Sequence, residues 1–503
     1  MAHLSCHSCP HLRFSLGFGF LRALGYNAAY EPYRREFRLN AQRTSDKTLE
    51  ESPTPALTET MRARRYDSWG RYPTSTPKRI IAPHWQTDIP DLRGLEMGET
   101  VLPHGYGRSY GDSCLNNGGT LIDMTRLRRY IAFDEESGLL QCEAGVMLAD
   151  ILATFVPRGW FLPVTPGTKF VSIGGAIAND VHGKNHHGGG TFGCHVTRFE
   201  LLRSDGSRLL CSPTENANYF RATIGGLGLT GLILWAEFRL RRIPGPYIAE
   251  ERIKFRTIEE YFEIARDSDE RFEYTAAWLD CLTFQRTGGR GFTMLGNHDR
   301  LQPLAGKALK AKNLPALPID APSFALNPLT MLAFNEVIYR MPPVKHLRRV
   351  VPYDGFFYPL DAIGDWNRMY GARGFLQHQF VVPYNDDYRA LKTILNAIGK
   401  SGEGSFLVVL KTFGERKSPG MLSFPQPGVT LALDFPMRGE STLKLLDHLD
   451  SIVREVGGVV YPAKDARMSA ANFQAFYPQW QTFATYVDPA FSSTFWRRVT
   501  AAV

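Results

Sequence analysis

Residues Thr165 to His187 read TPGTKFVSIGGAIANDVHGKNHH, and they constrain the chain more than any other stretch. Gly167, Gly174, Gly175 and Gly183 remove side chains where a backbone must come close to something. The small or polar Thr168, Ser172, Ala176, Ala178 and Asn179 leave the amides of the run free to face an anion. Val171, Ile173 and Ile177 alternate with the glycines and can anchor the loop to a core. Some sixty residues upstream lies a second such loop, GYGRSYGD, from Gly105 to Asp112. Two glycine-rich loops this far apart imply one large phosphate-bearing cofactor held between them.

Composition narrows the partners. The 503 residues suit two to three domains. The net charge of +8 favours phosphates, anionic lipid or nucleic acid. No basic stripe with interleaved aromatics appears, so nucleic acid is not an expected partner. Seven scattered cysteines, with only Cys6 and Cys9 close together, read as free thiols. No run of roughly 18 to 20 apolar residues is present to span a membrane as a helix.

Residues 1–65 differ from the rest. Leu12 to Leu24 is apolar but carries Arg13 and Arg22, a poor secretory signal. Arg43 to Glu59 is rich in Ser, Thr, Pro and Glu and reads as poorly ordered. Met61 is an alternative beginning. From Arg79 short strands and helices alternate. Gly119–Met124, Leu139–Ala144 and Trp160–Val164 read as strands, and Val146–Phe155 has helical spacing. Phe199–Leu202 and Ser207–Cys211 form a hairpin across Asp205-Gly206, and Thr223–Leu240 runs from a glycine turn into an apolar strand. Gly288 to Pro318, basic and rich in Pro and Gly, reads as a long loop over a site or a surface.

The pair GYGRSYGD and PGTKFVSIGGAIANDVHGKNHH resembles the flavin-binding half of the vanillyl-alcohol-oxidase type of FAD enzymes. Within that group the chain is most similar to the decaprenylphosphoryl-β-D-ribose 2′-oxidase family. The likeness runs from about Trp69 onward, through AAWLDC at Ala276, GFLQHQFVVP at Gly374, LKTFG at Leu410, LDFP at Leu433 and YPAKDARM at Tyr461. It implies an α+β fold: a two-subdomain FAD-binding domain (66–245), a sheet-and-helix substrate domain (246–458) and a C-terminal return to the FAD domain (459–503). In agreement, no GxGxxG stands between a first strand and helix with an acidic residue about twenty positions later.

The same resemblance implies the site. FAD would contact Pro103, His104, Gly105, Tyr106, Gly107, Arg108, Ser109, Tyr110, Gly111, Asp112 and Ser113 in one loop. In the other it would contact Gly167, Ser172, Ile173, Gly174, Gly175, Asn179, Asp180, Val181 and His182, with Ile233 and Tyr461 completing the set. Many relatives in the wider flavin family carry a flavin-tethering histidine where this chain has Arg108, so FAD is expected to be non-covalent. An arginine there can instead hydrogen-bond pyrophosphate or a carboxylate. The histidine cluster His182, His186 and His187 also admits a metal site or plain structural histidines, but the neighbouring glycines and Lys184 fit a flavin pocket better.

Oxidising a secondary alcohol needs a hydride taken from carbon and a proton taken from oxygen. The resemblance places Lys464 by the ring as anion stabiliser and base, with His182 and Tyr358 as further catalytic residues. Tyr110, Trp278, Gln377, Gln379, Lys411 and Lys464 would hold the substrate. The glutamines alternate in FLQHQF, so a strand puts both on one face. Lys411 sits between apolar residues, a costly place for a charge without a ligand. Relatives trapped by nitroaromatic inhibitors have a cysteine where this chain has Ala432, so no such adduct is expected.

The expected activity is FAD-dependent oxidation of the 2′-hydroxyl of a polyprenyl-phosphoryl-β-D-ribose, with a separate NAD(P)H-dependent keto-sugar reductase completing epimerisation to the arabinose donor. An aldonolactone or alditol oxidase of the same fold is the alternative, and a non-catalytic flavin-binding subunit belongs to a different class. Peripheral membrane attachment is expected from the lipid substrate and from two basic clusters, Lys307, Lys310 and Lys312, and Lys345, Arg348 and Arg349.

Overall fold

Glycine turns and short apolar runs build the cofactor half of the chain from small sheets. The computed structural model describes residues 66–300, 316–322, 326–384, 388–405 and 407–501. The expectations for residues 1–65 and for Lys307, Lys310 and Lys312 fall outside them.

Among the described residues, β1 (Arg79–Ile81), β2 (Val101–His104) and β3 (Thr120–Asp123) form a parallel sheet in the order β1-β3-β2. Next come β4 (Tyr130–Phe133), β5 (Leu139–Glu143), β6 (Trp160–Phe161), β7 (Val196–Leu202), β8 (Arg208–Cys211), β9 (Leu232–Arg239) and β10 (Arg241–Arg242). Five of these make a sheet ordered β4-β5-β9-β7-β8, while β6 pairs with β10. The β7–β8 hairpin turns at Gly206, whose φ of 83° is a left-handed conformation that glycine adopts without strain. Helix Leu148–Phe155 buries Leu148, Ile151, Leu152 and Phe155, a spacing that keeps one face on the core.

A larger antiparallel sheet follows. Its strands are β11 (Tyr247–Phe255), β12 (Tyr274–Leu279), β13 (Gly291–Asp299), β14 (His346–Pro352), β15 (Phe375–Val382), β16 (Val408–Phe413), β17 (Gly428–Pro436) and β18 (Val459–Val460). The order is β14-β11-β13-β12-β16-β17-β15-β18. The long-loop reading of Gly288 to Pro318 is corrected for its first part, while residues 301–315 lie outside the described residues. Gly291–Asp299 is β13, which pairs with β11 and β12 along most of its length. Its glycines at 291 and 296 face crowded neighbours, where an added Cβ would meet Trp278 O at 2.1 Å and Ile248 Cγ2 at 2.6 Å, so they mark close packing and not a turn.

The two faces of this sheet differ because side chains alternate along a strand. On β15, Leu376, Phe380 and Val382 point to one side. They pack with Leu391, Ile394, Leu395 and Ile398 of helix Arg389–Ser401 and with helix Glu440–Glu455. His378 on that side meets Asp450 at 2.8 Å. The opposite face, carrying Gln377 and Gln379, is turned toward the cofactor loops. The chain then comes back: helix Thr494–Thr500 lies against Asp112–Cys114, and Arg498 bonds Asp112 at 2.7 Å and Asp465 at 2.9 Å. No helix among the described residues is long and apolar enough to cross a membrane.

Candidate active site

The two glycine loops meet. Gly105 lies so close to the second loop that a Cβ there would stand 2.7 Å from Ser172 Oγ. Gly107 has φ of 63°, which the loop reversal requires. Ser172 accepts from the Gly175 amide at 3.1 Å, and Gly174 donates to Ala144 O at 2.7 Å, fixing the second loop to the strand beside it. Between the loops and the free face of the large sheet lies a cavity of about 390 Å³.

Most of the expected cofactor residues line this cavity: Pro103 to Tyr110, Ser113, Gly167, Ser172, Gly174, Gly175, Asn179, Val181, His182, Ile233 and Tyr461. Four lie behind it. Gly111 backs onto Asp465, whose carbonyl would be 1.7 Å from an added Cβ. Ile173 is a fully buried anchor. Asp112 is taken by Arg498, and Asp180 accepts from the Gly193 amide at 2.8 Å and from Ser418 Oγ at 2.5 Å. Both carboxylates support the loops and do not face the cavity.

The lining fits a cofactor with acceptors of its own. Arg108 Nε, Ser113 Oγ and His182 Nδ1 are buried and lack a hydrogen-bond partner among the described residues. A buried polar atom left so is costly, on the order of 1–3 kcal/mol, and a bound ligand would satisfy it. Arg108 lies 4.0 Å over the Trp69 ring.

On the sheet side, cross-strand register gathers the substrate candidates. Gln377 faces Asp434, Gln379 faces Ala432, and Ala432 faces Val409. Lys411 follows two positions along β16 from Val409. One strand further, Trp278 lies opposite Phe292 and stacks on it, with Met294 and Arg252 beyond. All of these line the cavity, as do Phe334 and Ile338 from the covering helix Pro328–Arg340. Burial lowers Lys411 to about 8. Lys464, on the turn Pro462–Lys464, has its ammonium 3.6 Å from the centre of the Tyr110 ring. Burial draws it below an ordinary lysine, and Asp434 opposes that shift. His182 Nε2 lies 2.8 Å from Gln379 Nε2, which donates to it, and burial with Lys411 nearby holds the ring neutral.

Two expectations change, for Tyr358 and for the basic cluster at Lys345, and the histidine cluster resolves into separate roles. Tyr358 does not line the cavity: its hydroxyl is 2.6 Å from Thr165 Oγ1 and its ring is buried. His186 packs on Phe413 at 4.2 Å, and His187 Nε2 bonds Phe272 O at 3.0 Å. Among the described residues no three His, Cys, Asp or Glu side chains are grouped to hold a metal ion. Lys345, Arg348 and Arg349 do not form an unpaired cluster. They pair with Glu260, Glu251 and Glu250.

The FAD binding domain family matches residues 94–212. The decaprenylphosphoryl-β-D-ribose oxidase of Mycolicibacterium smegmatis is 38% identical over 418 residues, 80% of this chain and 90% of that protein. The chain belongs to the decaprenylphosphoryl-β-D-ribose oxidase family. A Streptomyces coelicolor protein, uncharacterized and in the mprA 5′ region, is 30% identical over 68% of this chain and 97% of its own length. Mouse L-gulonolactone oxidase is 26% identical but covers 34% of this chain and 39% of itself.

As a member of this family the protein is an FAD-dependent oxidoreductase. Reading the sequence missed Asp434, which lines the cavity beside Lys464 and accepts from Gln377 Nε2 at 2.5 Å. The signal was available: a carboxylate flanked by Leu433 and Phe435 mid-strand is as costly as Lys411. Arg252, Phe334 and Ile338 were also missed, because their elements come near the site only through tertiary packing.

Proposed function

We propose that the chain oxidises the 2′-hydroxyl of a polyprenyl-phosphoryl-β-D-ribose to the 2′-ketone. The observation that carries this reading is one continuous sheet face. Gln377, Gln379 and Lys411 adjoin the cofactor loops, with Lys464 reaching in from the neighbouring turn, and the same face continues into the apolar Trp278, Phe292 and Met294. A sugar phosphate suits the first part, and isoprene units suit the second. When bound, FAD supplies the acceptor for the hydride. Gln377 and Gln379 orient the ribose, Lys411 meets the phosphate, and Lys464 holds positive charge against the charge that builds up beside it. The ketone is then a substrate for a separate NAD(P)H-dependent reductase, which completes the epimerisation.

The test is anaerobic bleaching of the bound flavin by a polyprenyl-phosphoryl ribose, compared with free aldonolactones and alditols. Bleaching by the lipid-linked sugar alone is the expected result. Bleaching by the soluble sugars alone would replace this reading with a soluble-sugar oxidase.

Attachment to a bilayer surface belongs to the same proposal. Helix Pro328–Arg340 turns Phe334 and Ile338 into the cavity, while Leu329, Leu332 and Val337 stay exposed on its outer side, Leu329 at 78%. One helix thus offers apolar side chains both to a lipid substrate and to a lipid surface. Because the neighbouring Arg340, Lys345 and Arg348 are each paired with a glutamate, apolar contact supplies most of the attachment.

A further inference from the structure

Resting on that reading, we propose that Asp434 is the base that takes the proton from the substrate hydroxyl, leaving Lys464 to act as the cation. Lys464 cannot fill both roles at once, since an ammonium that stabilises negative charge has no lone pair to accept a proton. The cavity offers few other acceptors. Tyr358 is outside it and engaged with Thr165. His182 already accepts from Gln379 at Nε2. Asp361, the other carboxylate in the lining, is at the Arg108 end and accepts from the Lys169 amide at 2.8 Å.

Asp434 is 1% exposed and held from two sides, by Gln377 Nε2 at 2.5 Å on Oδ1 and Tyr370 OH at 3.3 Å on Oδ2. A carboxylate has about four acceptor positions, so two remain for a hydroxyl. The charged and titratable groups around it are Lys464 from the C-terminal turn, Tyr370 from the segment Trp366–Tyr370, and Tyr110 from the cofactor loop. Lys411 on β16 acts on it through Lys464. Burial raises the Asp434 carboxyl, and Lys464 counters that rise. In the step, the C2′–H bond breaks and its electron pair leaves as hydride for the isoalloxazine. The O2′–H bond breaks, its electrons form the carbonyl, and the proton ends on the Asp434 carboxylate.

The sign follows. The base must be ionised, so flavin reduction should rise with pH through the Asp434 titration. It should fall again as Lys464 loses its proton, and the two limbs belong to the pair. The test is stopped-flow flavin reduction of FAD-loaded wild type, Asp434→Asn and Asp434→Glu from mildly acid to alkaline pH. Substrate Kd and the substrate-free flavin spectrum serve as folding checks. Asp434→Asn should lose about 10²- to 10⁴-fold in rate and lose the acid limb while still binding substrate. Asp434→Glu should recover part of the rate with a displaced acid limb. Reduction of the Asn variant near the wild-type rate, or an unchanged acid limb in either variant, overturns the proposal. If wild type is not reduced by the lipid-linked ribose, the substrate reading fails. The same comparison then runs with whichever soluble sugar does reduce it, since the base belongs to alcohol oxidation and not to one sugar.

Discussion

Lys464 shows what a single side chain adds. Its ammonium lies against the Tyr110 ring with Asp434 nearby, so its place is fixed while burial draws it below an ordinary lysine and Asp434 opposes that shift. Lys464→Ala should keep the fold and bound FAD but lose about 10²- to 10³-fold in flavin reduction, read by stopped flow. A variant reduced near the wild-type rate would sink the assignment. Arg108 stands where a tethering histidine would be, so acid or heat precipitation should release intact FAD into the supernatant. Flavin retained in the pellet counts against that. Residues of this kind were legible because their motifs are contiguous. Asp434 was passed over and Tyr358 was put in the pocket for one reason: motif membership gives proximity, but only the packed side chain tells which face of a wall a group is on.

At the level of elements, alternation carried most of the information. FLQHQF correctly divides β15 into a cavity face and a core face, because the period-two rule depends only on the pleat. Its application failed at β13. Glycines in GFTMLGNHD signal a loop locally, yet they mark close contact with neighbouring strands and Phe356. Helix Pro328–Arg340 was not read from the sequence at all, since apolar residues occupy both its sides and blur the 3.6 period. That two-sidedness is testable. Leu329→Asp with Val337→Asp should abolish flotation with liposomes and leave reduction by a detergent-dispersed substrate largely intact. Wild-type binding should weaken only modestly with salt, given the paired basic residues. Loss of wild-type binding at high salt would instead restore an electrostatic account.

Across the whole molecule, the cavity draws on residues from Trp69 to Lys464, so holding FAD and folding are coupled. A ligand at one hundred times its Kd adds about 2.7 kcal/mol to stability, and removal of FAD should lower Tm accordingly. Arg498→Ala should destabilise by about 3–5 kcal/mol, because it strips a partner from Asp112 and Asp465, both nearly inaccessible to solvent. Denaturant titration of the two proteins checks this, and an unchanged midpoint would show the network to be dispensable.

The return of helix Thr494–Thr500 to Asp112–Cys114 sets an order on synthesis. A ribosome has delivered the first glycine loop several hundred residues before the arginine that neutralises Asp112 emerges. Until then the nascent chain carries an open cradle and an Asp112 without its arginine partner. Flavin loading is therefore expected to come late, and chains stalled short of Arg498 should emerge colourless.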